Sequence, residues 1–456
     1  MKLKDFFASI GYNIDIYLNN KNSVSNYIAW YYGCVDSFHK YYVFNGDKKI
    51  YKNRFSLGFP KKICESFADL ICNEKVKFYI SSDSATELLR AIFEKNNFYT
   101  KLNQSIEKVF AFGLGAIVAS ADQDGINIQF ISCDNIIPLT FDNNNIHECA
   151  FVSDSYDING KIVRYVQIHS KNKNNQYVIY NYKFIVGQND EITPYDEFED
   201  VPASIETYSD IPWFSIIKPN IVNNIDINSP FGIPIYLNSL DTIKTLDIIY
   251  DSFVNEIQNG RKRLFVTSDA LKVNSDGQLR NAFDPNDVVF YLLDSNISSE
   301  NNNNGKYVQE VNGTLRINEL RLALRTNLEL LSMKLGLGKN YFQLENDSGY
   351  IKTATEVVSS NSDLYRTIHK HEIVVRESLV NLIKAIQFIS KSIFNVNMDG
   401  DITIDFDDSV IESDLEKRDQ DRRDVAMGAM SLAEYRSIWY DEPIELAATK
   451  VSDLRS

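Results

Sequence analysis

The chain has 456 residues, with 47 Lys and Arg against 62 Asp and Glu for a net charge of −15, and at roughly 100–200 residues per domain it should hold about two to four domains. An apolar fraction of 44% is that of a folded protein and excludes a disordered one. The acidic balance, with a pI of 4.9, argues against ordinary phosphate-tracking DNA binding, and no apolar run reaches the ~18 residues of a membrane span.

The N-terminus, MKLKDFFASIGYNIDIYLNN, has two lysines, but Asp5, Asn13 and Asp15 interrupt any signal-peptide core. The expectation is a protein made and kept in a cytoplasm. Pro60–Glu74 places Ile63, Phe67, Leu70 and Ile71 on one helical face. A short strand, Val76–Ile80, follows, then helices over Ser82–Asn96 and Asn97–Phe112. Ile117–Ser120 and Ile126–Ile131 read as strands joined by a turn ending at Gly125. Cys149–Ser155, Lys161–Ser170 and Gln176–Ile185 are rich in β-branched and aromatic residues and read as strands. Polar connectors over 187–210 read as loop, and Ile211–Asn220 closes this part.

The character changes at Asn228–Pro234. Tyr236–Asn259 predicts a helix with Leu240, Ile243, Leu246, Tyr250, Phe253 and Ile257 at spacings of three and four, and Asp241, Lys244, Asp247, Asp251 and Glu256 on the other side. Gly260 is its stop. Residues 261–316 read as a small β-rich insert, with strands over Arg263–Thr267 and Val288–Leu293 and near Tyr307–Val311. Asn301–Asn304 reads as a mobile loop tip. Ile317–Leu335 predicts a second helix with Leu320, Leu324, Leu328, Leu331 and Leu335 on one stripe, ended by Gly336-Leu337-Gly338. A non-periodic stretch leads to a long helix, Thr353–Phe394, an alternating strand, Asp401–Phe406, and a charged helix, Asp414–Met430.

Catalytic signatures are scarce. GxxxxGK[ST], GxSxG and HExxH are absent. Gly113-Leu114-Gly115 lacks a third glycine and follows a helix, so a turn or packing role is expected in place of dinucleotide binding. The five cysteines, Cys34, Cys64, Cys72, Cys133 and Cys149, make no CxxC and read as reduced, buried thiols. His369 and His371, two apart on a helix, point in different directions and read as a solvated face. Asn397–Asp408 departs from the calcium-loop pattern and reads as turn plus strand. No cofactor and no metal are expected. Arg261-Lys262-Arg263 either contacts phosphate or a partner's acids, or complements the negative end of the preceding helix. Arg321 and Arg325, one turn apart, form either an interhelical or DNA-facing basic strip or salt bridges to acids such as those of the first helix.

The run Lys352–Tyr365, KTATEVVSSNSDLY, resembles the start of the long helix in portal proteins of tailed bacteriophages of Gram-positive hosts. Gly336-Leu337-Gly338 and Gly349-Tyr350-Ile351-Lys352 are similar to the break and approach before it, and Lys218-Pro219-Asn220…Ser229-Pro230-Phe231-Gly232 to the family's PN…SPxG element. Leu240–Phe265, Ala29-Trp30-Tyr31-Tyr32-Gly33 and Lys62–Glu74 add support, so the resemblance runs from about 25 to 440.

The resemblance implies an α+β portal fold: a mixed α/β wing (1–230), stem helix 1 (231–260), a β-rich clip (261–316), stem helix 2 (317–336), a channel loop (337–352), a long helix and wing strand (353–408), and short crown or wing-edge helices (409–456). It implies no enzyme but a self-assembled ring, typically a dodecamer, built in the host cytoplasm and placed at one capsid vertex of the virion. Double-stranded DNA passes through it. Terminase large subunit, then a head-tail adaptor, and capsid and scaffolding proteins would be its partners. Lys339, Asn340, Tyr341, Gln343 and Lys352 would face DNA from the loop. Asp241, Asp247, Asp251, Arg321 and Arg325 are the stem candidates for the channel lining, and Arg261, Lys262 and Arg263 the clip candidates for partner binding. An acidic lining would repel phosphate and let DNA slide. The competing readings are another structural virion protein, such as a capsid or baseplate component, and a metal-dependent nuclease on Asp405, Asp407 and Asp408.

Overall fold

The computed structural model describes residues 1–45, 48–72, 76–142, 145–158, 160–188, 191–195, 202–260, 263–267, 290–293, 308–311, 314–342, 354–406, 414–440 and 442–453. The chain opens with helices α1 (Leu3–Ser9), α2 (Asp15–Tyr31) and α3 (Asp36–His39). A hairpin of β1 (Lys40–Asn45) and β2 (Lys48–Asn53) follows, then α4 (Phe59–Ile71), β3 (Lys77–Ile80), α5 (Asp83–Lys95) and α6 (Phe98–Phe112). Next come β4 (Gly115–Asp122), β5 (Gly125–Ser132), β6 (Ile136–Asp142), β7 (Asn145–Val152), β8 (Tyr156–Ile158), β9 (Lys161–Lys171), β10 (Tyr177–Val186), β11 (Ile192–Pro194), β12 (Ser204–Glu206) and β13 (Phe214–Ile217). The second half holds α7 (Leu240–Asn259), β14 (Arg263–Thr267), β15 (Phe290–Leu293), β16 (Val308–Val311), α8 (Ile317–Lys334), α9 (Ala354–Ser392), β17 (Ile402–Asp405), α10 (Asp414–Met427), α11 (Leu432–Tyr440) and α12 (Ile444–Asp453).

The fold is mixed α/β with small sheets, as expected. α4 carries its predicted face into the core, with Ile63 and Phe67 fully buried, and Pro60 sits in its first turn, where a missing N–H costs nothing. α6 and the middle of α9 pack on the β13-β4-β5 sheet, α4 packs on both helices, and together they form one apolar cluster that also takes in Tyr236, Ile243 and Leu246 of the α7 region and Leu328, Leu331 and Leu335 of the α8 region. The chain returns on itself twice here: β13 pairs with β4, and β17 pairs with β3, setting Ile402 opposite Ile80. A second core lies between α1 and the larger sheet, ordered β11-β10-β9-β7-β6, where Phe6 meets Tyr182 and Phe184 edge-on.

Several elements are additional to the sequence expectation, among them helices α1–α3. β6 is another; it is an edge strand of the larger sheet, where Pro138 is tolerated, and the ladder is irregular between Pro138 and Thr140. The stretch 187–210, expected as loop, contributes β11 and β12, both paired with β10. The β1–β2 hairpin is also additional, although Asn45-Gly46-Asp47 flanked by alternating residues is a turn signal. The insert strands do form: β14 is central, parallel to β15 and antiparallel to β16. Asn301–Asn304, Asp407 and Asp408 lie outside the described residues.

Candidate functional site

α7 and α8 pack side by side, and each of their two ends is tied. At one end the Arg316 backbone N–H and guanidinium both donate to Glu256, the shortest contact being 2.8 Å, and these bonds hold the Glu256 carboxyl below its usual range. At the other, the Lys334 ammonium donates to Thr242 Oγ1 at 2.9 Å. The predicted stripe of α8 faces inward: Leu328 and Leu331 are buried, as is Leu335 just beyond its end. Its far side carries two exposed apolar side chains among polar ones: Leu322 is 66% exposed and Met333 58%. At 100° per residue Leu322 and Met333 fall within ~20° of one another.

The acids of α7 separate. Asp241 is exposed, 3.4 Å from Lys244. Asp247 is only 1% exposed and Asp251 8%, which corrects their expected place on a free channel-facing surface. Asp247 accepts from the Leu57 N–H at 2.7 Å, from Ser56 Oγ at 3.0 Å and from His39 Nε2 at 3.3 Å. His39 Nδ1 accepts from the Val35 N–H at 3.0 Å, which leaves the proton on Nε2 for Asp247. Asp251 accepts from the Tyr41 hydroxyl at 3.0 Å and the Phe55 N–H at 3.3 Å, and burial with this carboxylate raises the Tyr41 phenol. The two carboxylates, one turn apart, therefore bind the 39–57 segment to α7. Buried anions need such donors, since a carboxylate left unpaired there costs several kcal/mol.

Arg325 pairs with Glu329 on its own helix at 3.2 Å, and Lys339 reaches the same carboxylate at 3.4 Å. The salt-bridge reading thus fits Arg325, with a partner on α8 instead of α7. Arg321 is exposed and interacts within the chain. The start of the expected channel loop is anchored. Gly336 and Gly338 adopt φ of +71° and +82° and stop α8. The Thr367 hydroxyl of α9 donates to the Gly336 carbonyl at 2.8 Å. Leu337 is buried, and Phe342 packs edge-on against Phe59 while its N–H reaches Ser332 Oγ. Asn340 is half-buried and Tyr341 packs against Phe342. The stretch 337–342 therefore packs against the body of the subunit. Gln343 and Lys352 lie outside the described residues, as do Arg261, Lys262 and the side chain of Arg263.

The Lys218…Gly232 element forms a node against α9 and Gly113. The Lys218 ammonium, its pKa lowered by burial, donates to the Pro230 carbonyl at 3.2 Å. Asn220 binds α9 twice, its N–H to His371 Nδ1 at 3.1 Å and its amide to the Lys370 carbonyl at 2.6 Å. His371 is buried edge-on against Phe67 and Phe110, and burial lowers its pKa to about 4. This corrects its assignment to a solvated face; half-exposed His369 instead pairs with Glu372. Gly113, at φ +86°, meets Gly232 backbone to backbone: a Cβ on Gly113 would lie 2.5 Å from the Gly232 carbonyl oxygen. The Gly113-Leu114-Gly115 motif is therefore a packing device. Four of the five cysteines are buried and unpaired, and burial pushes their thiols up. Among the described residues no cluster of three or more His, Cys, Asp or Glu could hold a metal, and no helix is long and apolar enough to cross a membrane.

A family model described as phage portal protein, SPP1 Gp6-like, matches residues 11–443. No curated protein matches by sequence. Similar solved structures include the neck of an empty GTA particle computed with C6 symmetry, at 11% identity, covering 84% of this chain and 89% of that one with a TM-score of 0.43. Another is the virion of a native gene transfer agent (GTA) particle, at 10% identity, covering 93% and 98% with a TM-score of 0.42.

Proposed function

The chain belongs to the family of phage portal proteins of the SPP1 Gp6-like type, and from that membership we propose that it assembles head-to-tail into a closed ring, a dodecamer in the particle, at one capsid vertex. DNA enters and leaves through its channel. Terminase large subunit docks on the ring during packaging and a head-tail adaptor afterwards, with capsid and scaffolding proteins around its rim. The family is one of structural particle proteins, which sets aside the nuclease reading.

In this reading 1–230 with 353–408 form the wing, α7 and α8 the stem, 261–316 the clip, and 409–456 the crown or wing edge. Asp241 and Arg321 remain the exposed stem candidates for the channel wall. Tyr341 and Asn340 stand at the root of the channel loop, whose reach toward DNA falls to 343–352, Gln343 and Lys352 included. Arg261, Lys262 and Arg263 stay as clip candidates for a partner's acids. Contact with phosphate has to stay weak, because about 1 kcal/mol per subunit repeated around a ring would hold DNA in place.

The observation that carries assembly is the pair of exposed apolar side chains on the outward face of α8, Leu322 and Met333. One stripe already fills the subunit's core, so Leu322 and Met333, exposed in the single chain, need a neighbour to leave water. The paired substitution Leu322→Glu and Met333→Glu should abolish assembly while leaving the folded subunit intact, since neither side chain supports the core. Light scattering checks this. A double variant that still assembles at wild-type concentrations would remove α8 from the interface.

A further inference from the structure

The β1–β2 hairpin stands out from the rest of the chain in charge and in exposure. Residues 40–55 hold five basic side chains, Lys40, Lys48, Lys49, Lys52 and Arg54, against one acid, Asp47, in a chain whose net charge is −15. The rest of the chain, at −15 − 4 = −19, is thus more acidic than the total suggests. A two-stranded hairpin is marginal on its own, and this one is held from one side only. In the register Tyr42 opposes Tyr51 and Phe44 opposes Lys49, and paired residues share a face. The face carrying Tyr41 and Lys52 turns to α7, where Tyr41 meets Asp251 and Lys52 reaches Asn255.

The other face is open. Phe44 is 70% exposed, Tyr51 73% and Tyr42 51%. Tyr42 meets Phe44 and Tyr51 edge-on, and the Lys49 ammonium lies 3.8 Å from the centre of the Tyr42 ring. Three large aromatics gathered under a cation, and left in water, form an apolar centre with a basic rim, the composition of a protein-docking face. The net acidic balance of the chain itself supplies an oppositely charged protein partner, which favours a protein over a nucleic acid.

We propose that this Tyr42, Phe44, Tyr51 and Lys49 face docks on an acidic surface of a second copy of the chain. The occupant follows from charge complementarity: each copy carries one basic aromatic hairpin and an otherwise acidic exterior, which is a head-to-tail arrangement. The clamp of Asp247 and Asp251 then has a purpose beyond stability, because it fixes the hairpin's aim relative to the stem helix. The proposal rests on the ring reading and adds to the α8 contact a second, electrostatic one.

The test uses the full chain. Sedimentation compares wild type with a charge variant (Lys48→Glu, Lys49→Glu) and an apolar variant (Phe44→Ser, Tyr51→Ser), at low and high salt. Both variants should raise the concentration needed for assembly by about tenfold or more, and the charge variant should flatten the salt dependence seen in wild type. Phe44→p-benzoylphenylalanine in an otherwise native ring covers the case of a variant that folds poorly: it should cross-link to an acidic stretch of another subunit, identified by mass spectrometry. If wild type assembles and both variants assemble equally well at every salt, the hairpin proposal fails while the ring stands. Variants that assemble normally but lose binding to a duplex DNA probe would also overturn it, in favour of nucleic acid. A wild type that never assembles would bring down the ring reading and this proposal with it.

Discussion

Gly113→Ala should cost the fold about 2–4 kcal/mol, the sum of a left-handed backbone penalty of ~1 kcal/mol and about 1–3 kcal/mol for overpacking a core that cannot yield. At φ +86° the new Cβ lies 2.5 Å from the Gly232 carbonyl oxygen and 2.6 Å from its carbon. Both are backbone atoms, so no side chain can rotate away. Gly232 is itself held by its surroundings: Lys218 binds the Pro230 carbonyl, Asn223 the Phe231 carbonyl at 3.0 Å, and the Ile235 N–H the Phe110 carbonyl at 3.0 Å. Gly58 supplies the control. It has φ +66°, and a methyl group added to it would meet nothing within 4 Å, so Gly58→Ala should lose only the backbone part, about 1 kcal/mol. Urea unfolding of the two variants decides the matter. Equal losses would mean that the Gly113–Gly232 contact relaxes freely and does not order the α6–α7 junction.

Asp247→Ala should destabilise the protein by about 3 kcal/mol or more. The substitution strands the Leu57 N–H and the Ser56 hydroxyl in a site where the lost carboxylate was 1% exposed, and leaves the His39 Nε2–H without its acceptor. Asp247→Asn keeps one acceptor oxygen and should lose less. The damage should also be local, because these donors come from the segment that carries the hairpin. Limited proteolysis between residues 40 and 57 should accelerate before the rest of the chain opens. An alanine variant within about 0.5 kcal/mol of wild type, with an unchanged cleavage pattern, would show that the clamp contributes nothing.

Helical periodicity is the most legible feature of the sequence. α8 runs Ile317–Lys334 where the pattern predicts Ile317–Leu335, and Ala354–Ser392 lies within the predicted Thr353–Phe394. Periodicity tells which residues share a face; it does not tell what covers that face. Asp247 and Asp251 lie one turn apart and read as a solvated side of α7, yet the 39–57 segment, far earlier in the chain, supplies five donors to them. His371 departs from expectation for the same reason. Its spacing from His369 does mean two different directions, but only the tertiary fold brings Phe67, Phe110 and Asn220 around one of them. The Lys218…Gly232 element is recognisable by resemblance alone. Its physical content, two backbones in contact at glycines and a buried lysine on a carbonyl of the same element, depends on a partner at Gly113 and on the chain folding Lys218 back onto Pro230, neither of which a local pattern reveals.

The proposed function depends on the subunits closing into a ring around a channel, and negative-stain imaging of the purified chain addresses that closure in one experiment. The expected images fall into one dominant class, seen end-on as closed rings with a central opening and side-on as a wide wing above a narrower stem, with every subunit contributing one copy of α8 to the wall. Monomers of 52.3 kDa at all concentrations and salts, or sheets, shells or trimers without a central opening, would overturn ring closure.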